Sequence, residues 1–338
     1  MIRNPKSVRR AFGRSAWNLA GLGVIAALAL VAILADFIAS DRPIWLKHRG
    51  EHYAFPNLID YPELRILRND ALRRVMVKGE DWAIMPLVPH GPLQSKIDGE
   101  IRPLVPPCAK HWLGTDDRGR DVLARMIHGT RVSLSVGFVA VALMVLLGTM
   151  LGAAAGFRGG WVDSLVTRVT EMLMAFPAFF FILIVQGLLP TASLLQVMAV
   201  IGLVQWTGVA RLVRGEVLRL RSAEFVLAAR ALGIPPRRVL FRHVLPNAMG
   251  PVLVSATFGV GNAILIESAL SFLGFGSPPP TASWGELLTQ AFSHGGKWWL
   301  TVFPGLAIFA TVTAYNLVGE GIRDATDPRT ARAGSPPV

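Results

Sequence analysis

Few ionisable side chains interrupt the long apolar runs of this sequence, and these few are the first candidates for chemistry. Glu171, Glu267 and Glu320 lie within such runs, and Asp36 lies near the end of another. A charged group in the hydrocarbon of a membrane is costly, so each carboxylate is a functional hypothesis by default. The alternative is a polar partner at a helix interface. The lack of an Asp, Glu or His series across any run argues against a proton relay.

Sequence signatures of enzymes are missing. The patterns GxxxxGK[ST], GxSxG and HExxH do not occur, which argues against a nucleotide-phosphate cradle, a hydrolase elbow and a zinc-protease helix. Cys108 is the one cysteine, so it has no intramolecular disulfide partner, and nothing near it has metal-ligand spacing. We therefore expect a non-catalytic chain and predict no catalytic, cofactor-binding or metal-binding residues.

The composition predicts a membrane protein. Hydrophobic residues make up 52% of the chain and charged residues 17%, with a mean hydropathy of +0.46, whereas a soluble globule needs more charge to cover its surface. The net charge of +12 raises the possibility of a nucleic-acid partner. The basic residues lie between apolar runs, with no dense basic face carrying interleaved aromatic residues, so we predict no nucleic-acid partner.

Six apolar segments are each long enough to cross a bilayer, because about 20 residues span a ~30 Å hydrocarbon core. We therefore expect an all-α integral membrane protein with six transmembrane helices. The predicted spans are Ala16–Ala39, Ser133–Ala155, Thr170–Leu189, Leu194–Val213, Pro251–Leu273 and Leu300–Ile322.

The segments between the spans define the predicted domain organisation. The first apolar run is too long for a signal peptide, so we expect it to be retained. The proline-rich, charged stretch after it is predicted to be a large water-exposed insertion with one helix near Pro62–Lys78. The predicted parts are a tail over 1–15, helix 1 over 16–39, the insertion over 40–130, a five-helix core over 131–322 with a polar loop at 214–249, and a tail over 323–338.

Small residues and one proline predict local features of the spans. Gly137, Gly148 and Gly152 suit close helix packing in lipid. Pro177 lacks a backbone donor, so we expect either a kink there or the start of a helix.

The distribution of basic residues predicts the orientation. The loop Arg211–Met249 carries eight arginines, whereas the loop Gly274–Trp299 carries only Lys297. Short loops rich in Lys and Arg stay in the cytoplasm. We therefore expect the first loop, the loop Phe157–Arg168 and both termini to be cytoplasmic, and the insertion to be periplasmic.

The stretch Ser222–Asn247 is the longest polar, basic interruption in the second half of the chain. Helix formers with helical apolar spacing predict one helix over Ser222–Leu232, ended by Gly233. Pro235 and Pro236 prevent its continuation and fit the start of a second helix, Arg237–Leu245, closed by Pro246. This elbow is either an amphipathic hairpin on acidic lipid or a rigid lever for a cytoplasmic partner.

The residues Ala228-Ala229-Arg230-Ala231-Leu232-Gly233, followed by Leu245-Pro246, resemble the EAA loop of ABC importer permeases. In that family the loop forms a coupling helix that docks on the ATPase subunit. Leu227 stands where the motif has Glu, so we expect apolar contacts and arginines to carry the docking here.

Further segments, in order along the chain, resemble C-type permeases of dipeptide and oligopeptide importers. The insertion residues Asp41-Arg42-Pro43 and Tyr53-Ala54-Phe55-Pro56 also resemble the microcin C-type branch. The matching segments are Leu113–Asp116, Gly119–Arg125, Gly129–Leu134, Met174–Pro177, Glu267–Gly276, Pro279-Pro280, Ser283–Gly285, Gly321–Ala325 and Asp327–Arg329. Ala282, directly before Ser283, stands where these permeases usually have a proline.

The resemblance implies a type I importer permease in the bacterial inner membrane. Such a chain forms half of the translocation pathway beside a homologous permease, two ATPase subunits that bind the ATP, a periplasmic or lipid-anchored solute-binding protein and a peptide substrate. The predicted ATPase-coupling residues are Glu224, Phe225, Ala228, Ala229, Arg230, Gly233, Arg237, Arg238 and Pro246, and the predicted pathway-lining residues are Glu267, Asn262, Gln186 and Gln205.

Three alternative functions stay open at this point. Permeases of this shape also serve nickel and other small solutes. An ATP-independent transporter or channel would normally carry a charge relay or a pair of broken helices at the membrane midplane. A membrane enzyme would need a convergent catalytic set.

Overall fold

The computed structural model describes residues 12–13, 15–64, 69–77, 80–95, 100–189, 193–276, 278 and 280–326. Most of the described chain is helical. The helices are α1 Ala16–Ile33, α2 Ala35–Ile38, α3 Asn69–Val75, α4 Val122–Arg158, α5 Gly160–Met174, α6 Ala178–Leu188, α7 Leu194–Leu220, α8 Glu224–Ala231, α9 Pro236–Phe272, α10 Trp284–Ser293 and α11 Trp298–Thr326.

Five helices in the described part of the chain are long and apolar enough to cross a membrane, namely α1, α4, α7, α9 and α11. The pair α5 and α6 passes the same test together but is bent by 86°. The predicted total of six spans therefore holds when this bent pair is counted as one broken span.

Several helices extend beyond the spans predicted from hydropathy. Helix α4 begins at Val122 and contains 37 residues, so it is about 55 Å long, well above the hydrocarbon thickness. Helix α7 continues to Leu220, and α11 runs from Trp298 to Thr326. Hydropathy marks the part of a helix that suits lipid, whereas backbone hydrogen bonding carries the helix on into water.

The break between α5 and α6 lies at the proline that the sequence singled out. Pro177 precedes Ala178 in an extended conformation, with φ −60° and ψ 121°, and it has no N–H to continue a helix. The alternative of a helix start at this proline is thus confirmed. The predicted loop Phe157–Arg168 is wrong in one respect, because most of it belongs to α5.

The chain divides into two compact units. The first comprises the described parts of 1–25, 136–266 and 311–338, and the second comprises 26–135 and 267–310.

Helices α4 and α7 approach each other closely within the first unit, at glycines one turn apart. A methyl group on Gly148 would lie 2.6 Å from the Cβ of Val209, and one on Gly156 would lie 2.8 Å from the carbonyl oxygen of Arg214. Between them, Gly152 faces the backbone of Ala210. Small residues allow this contact because helices in lipid associate through van der Waals packing. The expectation of close packing at Gly148 and Gly152 is confirmed.

The second unit contains a small sheet that was not predicted from the sequence. Strands β1 Trp45–His48, β2 Glu51–Ala54 and β3 Trp82–Ile84 form an antiparallel sheet in the order β2-β1-β3. Arg49 and Gly50, with φ of 52° and 83°, make a two-residue turn between β1 and β2, as hairpins with two left-handed residues do.

One face of the sheet packs on a small core. Leu46 and Tyr53 are buried with Leu64 and Leu72, while Trp45 and Trp82 on the other face are exposed. The helix expected near Pro62–Lys78 is present in part, as a 3-10 turn at Pro62–Leu64 and as α3. Residues 65–68 and 78–79 lie outside the described residues.

A buried ionic cluster joins the start of α4 to α10 in the second unit. The Arg125 side chain is fully buried, its Nη2 lies 2.5 Å from Glu286 Oε2, and its Nε lies 3.3 Å from Asp116 Oδ2. Arg120 Nε donates to the same Asp116 oxygen at 2.6 Å. The cluster is reinforced by the indole of Trp284, whose Nε1 donates to the carbonyl oxygen of Met126 at 3.1 Å.

We predict that Gly152→Ala weakens the packing of α4 against α7. The added methyl group meets backbone atoms of Ala210, which cannot rotate away, so the helices must separate, at a cost of roughly 1–3 kcal/mol. The thermal midpoint of the detergent-solubilised chain should therefore fall.

Gly215→Ala is the matched control, because nothing lies within 4 Å of the position of its added methyl group. We expect an unchanged or slightly raised midpoint, since alanine favours a helix over glycine. Equal midpoints for the two variants would contradict the role of the glycine contact.

We predict that Arg125→Met strongly destabilises the second unit. It leaves the carboxylates of Asp116 and Glu286 without this buried guanidinium, and removal of one partner from a buried pair costs about 3–5 kcal/mol. Denaturant titration of the solubilised chain measures the loss. The control is Arg102→Met, whose pair with Glu100 is 63% exposed on both sides and contributes at most about 1 kcal/mol. Similar losses in the free energy of unfolding for Arg125→Met and Arg102→Met would refute the structural role of the cluster.

Candidate functional site

The predicted elbow is present, and its first arm ends as expected. Helix α8 ends at Ala231, and Gly233 has a φ of +75°. The Gly233 N–H donates to the carbonyl oxygen of Arg230 at 2.9 Å, and the Ile234 N–H donates to that of Ala229 at 3.2 Å. This pair of bonds is the Schellman motif, which satisfies the last carbonyls of a helix and requires a left-handed residue.

The second arm differs from the prediction. Pro235 precedes it in an extended conformation and Pro236 is its first residue, as proline at a helix start allows. The expectation that Pro246 closes this arm is wrong, because α9 continues to Phe272. A wide π-helical turn over Leu240–Val244 lies directly before the proline.

The geometry of that turn explains why the proline is tolerated. A proline in a helix removes one backbone donor and crowds the preceding turn, and a widened turn relieves the crowding. The Asn247 side-chain amide donates to the carbonyl oxygen of His243 at 2.7 Å. The second arm of the elbow is therefore the first part of the same helix that contains the predicted fifth span.

The two arms have distinct buried and exposed faces. Val226, Ala229, Val239 and Val244 are buried against the protein, so we expect Ala229 to position α8 rather than to touch a partner. The exposed side carries large apolar groups and basic groups together, and we call it the docking face. Its members are Phe225, Leu227, Leu232, Arg237, Arg238, Phe241 and Arg242.

The docking face partly agrees with the sequence prediction. Leu232 is 81% exposed and Phe241 is 66% exposed, which is unusual for large apolar side chains outside a lipid or protein contact. Leu227, Leu232, Phe241 and Arg242 were not among the predicted coupling residues. Leu227 was noticed only as a departure from the motif. The remaining predicted residues Glu224, Ala228, Gly233 and Pro246 are exposed as well.

Arg230 has a specific contact within the chain. Its guanidinium carbon lies 5.3 Å from the centre of the Phe157 ring, within the range of a cation–π interaction. This contact ties α8 to the end of α4. Helix α7, which leads into the elbow, is tied to α5 by Arg214, whose Nη2 lies 2.8 Å from Asp163 Oδ2.

Three of the four predicted pathway residues lie in the first unit. The Asn262 amide donates to Gln205 Oε1 at 3.2 Å, and the Gln196 amide donates to Gln186 Oε1 at 3.3 Å. Asn262 is exposed, Gln205 is half-buried and Gln186 is buried. The structure thus brings Gln205 and Asn262 together and gives Gln186 a different partner.

Glu267 belongs to the second unit and is fully buried. Its Oε1 accepts a hydrogen bond from the Ser271 hydroxyl at 2.8 Å. Helix α10 packs closely here, because a methyl group on Gly285 would lie 2.7 Å from the Ser271 Cβ. These contacts favour a role in helix packing, and pathway lining stays a prediction for Glu267.

A cavity of about 410 Å³ in the first unit was not predicted from the sequence. It lies between α5 and α7, and it combines apolar, hydroxyl and charged groups. Hydropathy did signal Glu171 as an ionisable residue in an apolar run, but it gave no indication that two arginines share its surroundings. The lining residues are Val166, Thr167, Thr170, Glu171, Met174, Ala175, Ala210, Arg211 and Arg214.

Comparison with solved structures supports the helical architecture. A chain from the MetNI methionine ABC transporter in inward-facing conformations aligns with a TM-score of 0.50, covering 60% of this chain and 96% of that one. The two sequences are 16% identical, so this likeness concerns the fold.

Comparison with known sequences identifies the family. The dipeptide transport system permease protein DppC of Alkalihalophilus pseudofirmus is 41% identical, over 66% of this chain and 73% of its own length. The oligopeptide transport system permease protein OppC of Bacillus subtilis is 40% identical over the same shares. A putative peptide permease protein of Brucella suis is 42% identical, over 66% of this chain and 74% of its own length.

The family model described as "Binding-protein-dependent transport system inner membrane component" matches residues 148–332. That range contains the elbow and four of the five long apolar helices in whole or in part. The chain is thus a multi-pass membrane protein, and it belongs to the family of inner-membrane components of binding-protein-dependent transport systems.

Proposed function

We propose that this chain is the permease subunit of an ATP-driven importer for dipeptides, oligopeptides or peptide-like compounds. Relatives that are about 40% identical are peptide transport permeases by name, and this supports the substrate class. The chain forms half of a translocation pathway and pairs with a homologous permease. Two ATPase subunits bind and hydrolyse the ATP, so the chain itself is non-catalytic.

The observation that carries the proposal is the continuity of the elbow with two long helices. Three residues separate α7 from α8, and α9 starts in the elbow and continues through an apolar segment. A force applied to α8 therefore acts on both α7 and α9 without an intervening flexible loop. An amphipathic hairpin that only rests on lipid has no need of this connection.

The docking face suits an ATPase groove that is apolar inside and acidic at its rim. Leu232, Phe241 and Phe225 supply apolar groups that fill such a groove, and Arg237 and Arg238 pair with acids around it. Leu227 adds apolar area where other importers carry an acid. The cation–π contact holds Arg230 against Phe157, so we assign Arg230 to the rigidity of the elbow.

The transport cycle follows from this arrangement. Closure of the ATPase dimer on ATP pushes the two elbows of the permease pair together, and the spans change from inward- to outward-facing. A periplasmic or lipid-anchored solute-binding protein then releases peptide into the cavity between the permeases. Hydrolysis of ATP resets the inward-facing state. Gln186, Gln205, Asn262 and Glu267 are the polar candidates for the pathway.

The orientation belongs to the proposal as well. We place the elbow and both termini in the cytoplasm and the insertion in the periplasm, following the arginine-rich elbow and the single lysine in the loop between α9 and α11. The ATPase subunits bind in the cytoplasm, so the docking face must lie on that side.

We predict that Gly233→Val uncouples ATP hydrolysis from peptide uptake. The space around Gly233 is open, so the added side chain meets no neighbour. The strain is in the backbone, where a non-glycine residue with a φ of +75° costs roughly 1–3 kcal/mol. Because 1.4 kcal/mol is a factor of ten, the ratio of native to alternative elbow conformations should fall by roughly 5- to 150-fold. Peptide-stimulated ATPase activity in proteoliposomes containing all subunits should fall as the native elbow is lost.

Gly233→Asn is the control, because asparagine tolerates the left-handed conformation. It should retain most of the coupled activity, and both variants should insert into the membrane at the wild-type level. Normal peptide-stimulated hydrolysis in Gly233→Val would overturn the role of this turn. Peptide uptake without any ATPase subunit would overturn the proposed function itself.

A further inference from the structure

Three buried side chains converge in the second unit, outside the elbow and the pathway candidates. They are His90, His111 and Asp121, and one ligand-type atom from each lies within 4.8 Å of the others. Their spacing along the sequence is 21 and 10 residues, which matches no short metal-binding motif. The residues come from separate loops that the fold brings together before α4.

The hydrogen bonds of the two histidines fix which ring nitrogens carry protons. His90 Nε2 lies 3.2 Å from the carbonyl oxygen of Lys110. A carbonyl can only accept, so Nε2 carries the proton and Nδ1 carries the lone pair. This is the usual support for a metal-binding histidine, whose second nitrogen donates to a carbonyl or carboxylate. His111 Nδ1 donates to Asp121 Oδ2 at 2.8 Å.

The distance between the rings fits a shared ion. The ring centres of His90 and His111 are 5.0 Å apart. With a zinc–nitrogen bond of about 2.0–2.1 Å, each ring centre lies roughly 3.2 Å from the metal, and tetrahedral geometry then separates the two centres by roughly 5 Å. Two imidazoles and one carboxylate form a donor set that suits Zn²⁺ and related divalent ions.

We propose that His90, His111 and Asp121 form a binding site for a divalent transition-metal ion of the Zn²⁺ class. The ion takes the place of the proton between His111 Nδ1 and Asp121 Oδ2, and the lone pair of His90 Nδ1 supplies the third ligand. The distance between His111 Nδ1 and Asp121 Oδ2 increases from 2.8 Å to roughly 3.3 Å, as tetrahedral geometry requires. The imidazole proton of His111 moves from Nδ1 to Nε2, so the ligand remains a neutral imidazole, and the fourth position is taken by water.

The surroundings support such a site in two ways. Asp121 Oδ1 accepts from the Ala124 N–H at 2.8 Å, so the carboxylate is already oriented by the start of α4 while its other oxygen faces His111. A small cavity of about 60 Å³ reaches His111 beside Cys108 and Lys110, which offers an entry path. The ion is a resident structural ion, and it is not the transported solute.

The site fastens one end of the insertion to the start of a membrane helix. His90 follows the short pairing of Val88 with Ala39, and Asp121 caps α4. An ion that joins them closes a loop of about thirty residues in the folded chain only, so its binding free energy adds to the stability of the fold.

The test uses the full-length chain, purified in detergent with a tag free of histidine and cysteine, and stripped of metal with a chelator. Co²⁺ is the spectroscopic probe and Zn²⁺ is the competitor. We expect one equivalent of Co²⁺ with the visible absorption of a tetrahedral complex, and its displacement by Zn²⁺. No binding, or an octahedral spectrum, would overturn the proposal.

The variant His90→Gln removes one ligand and keeps a polar side chain of similar size. Loss of a residue that only hydrogen-bonds to a metal ligand already lowers metal affinity by about 10- to 100-fold. Loss of a ligand itself should therefore weaken Co²⁺ binding by about 100-fold or more. The control is His52→Gln, an exposed histidine of the same insertion, which should bind Co²⁺ as the wild type does. Unchanged affinity in His90→Gln, or loss in His52→Gln, would contradict the assignment.

X-ray absorption of the Zn²⁺-loaded wild type keeps the test decisive if His90→Gln does not fold. We expect nitrogen and oxygen ligands with the scattering of two imidazoles. A first shell containing sulfur, or one without imidazole, would contradict the site. Neither measurement depends on ATP hydrolysis or peptide uptake, so its outcome is independent of the proposed function.

Discussion

The left-handed backbone at Gly233 is the constraint on which the elbow depends. It ends α8 with two backbone hydrogen bonds and turns the chain into Pro235 and Pro236, which can start a helix but cannot continue one. Because α9 then passes from the elbow into an apolar span, the turn sets the direction of a long helix. Lipid leaves a spanning helix no alternative to its own hydrogen bonds, and α9 is accordingly continuous from the elbow through the apolar span.

Much of this could be predicted from the sequence, since the relevant signals are local. Glycine followed by two prolines predicts a helix stop and a new start whatever surrounds them, and Pro177 likewise predicted either a kink or a helix start. Apolar length predicted the spans because hydrocarbon thickness is fixed. Local signals were misleading at Pro246, where a π-helical turn over the preceding residues absorbs the proline. That turn depends on how the helix packs, which periodicity does not report.

The parts that escaped prediction depend on residues far apart in the chain. Arg125 meets Glu286 across 161 positions, and the convergence of His90 with His111 and Asp121 has no short spacing to reveal it. The strands of the insertion are three or four residues long, too short for a clear alternation. On the docking face, Phe225 was predicted as a coupling residue, whereas Phe241 required knowledge of which side of α9 is covered.

The central claim is that the docking face contacts an ATPase subunit, and site-specific photo-crosslinking tests it most directly. A photoreactive amino acid replaces Leu232 in the assembled transporter, with Leu188, an equally exposed leucine of α6, as the control position. The account predicts a crosslink from position 232 to the ATPase subunit and none from position 188. Crosslinks from position 232 to lipid or to the solute-binding protein alone would contradict it.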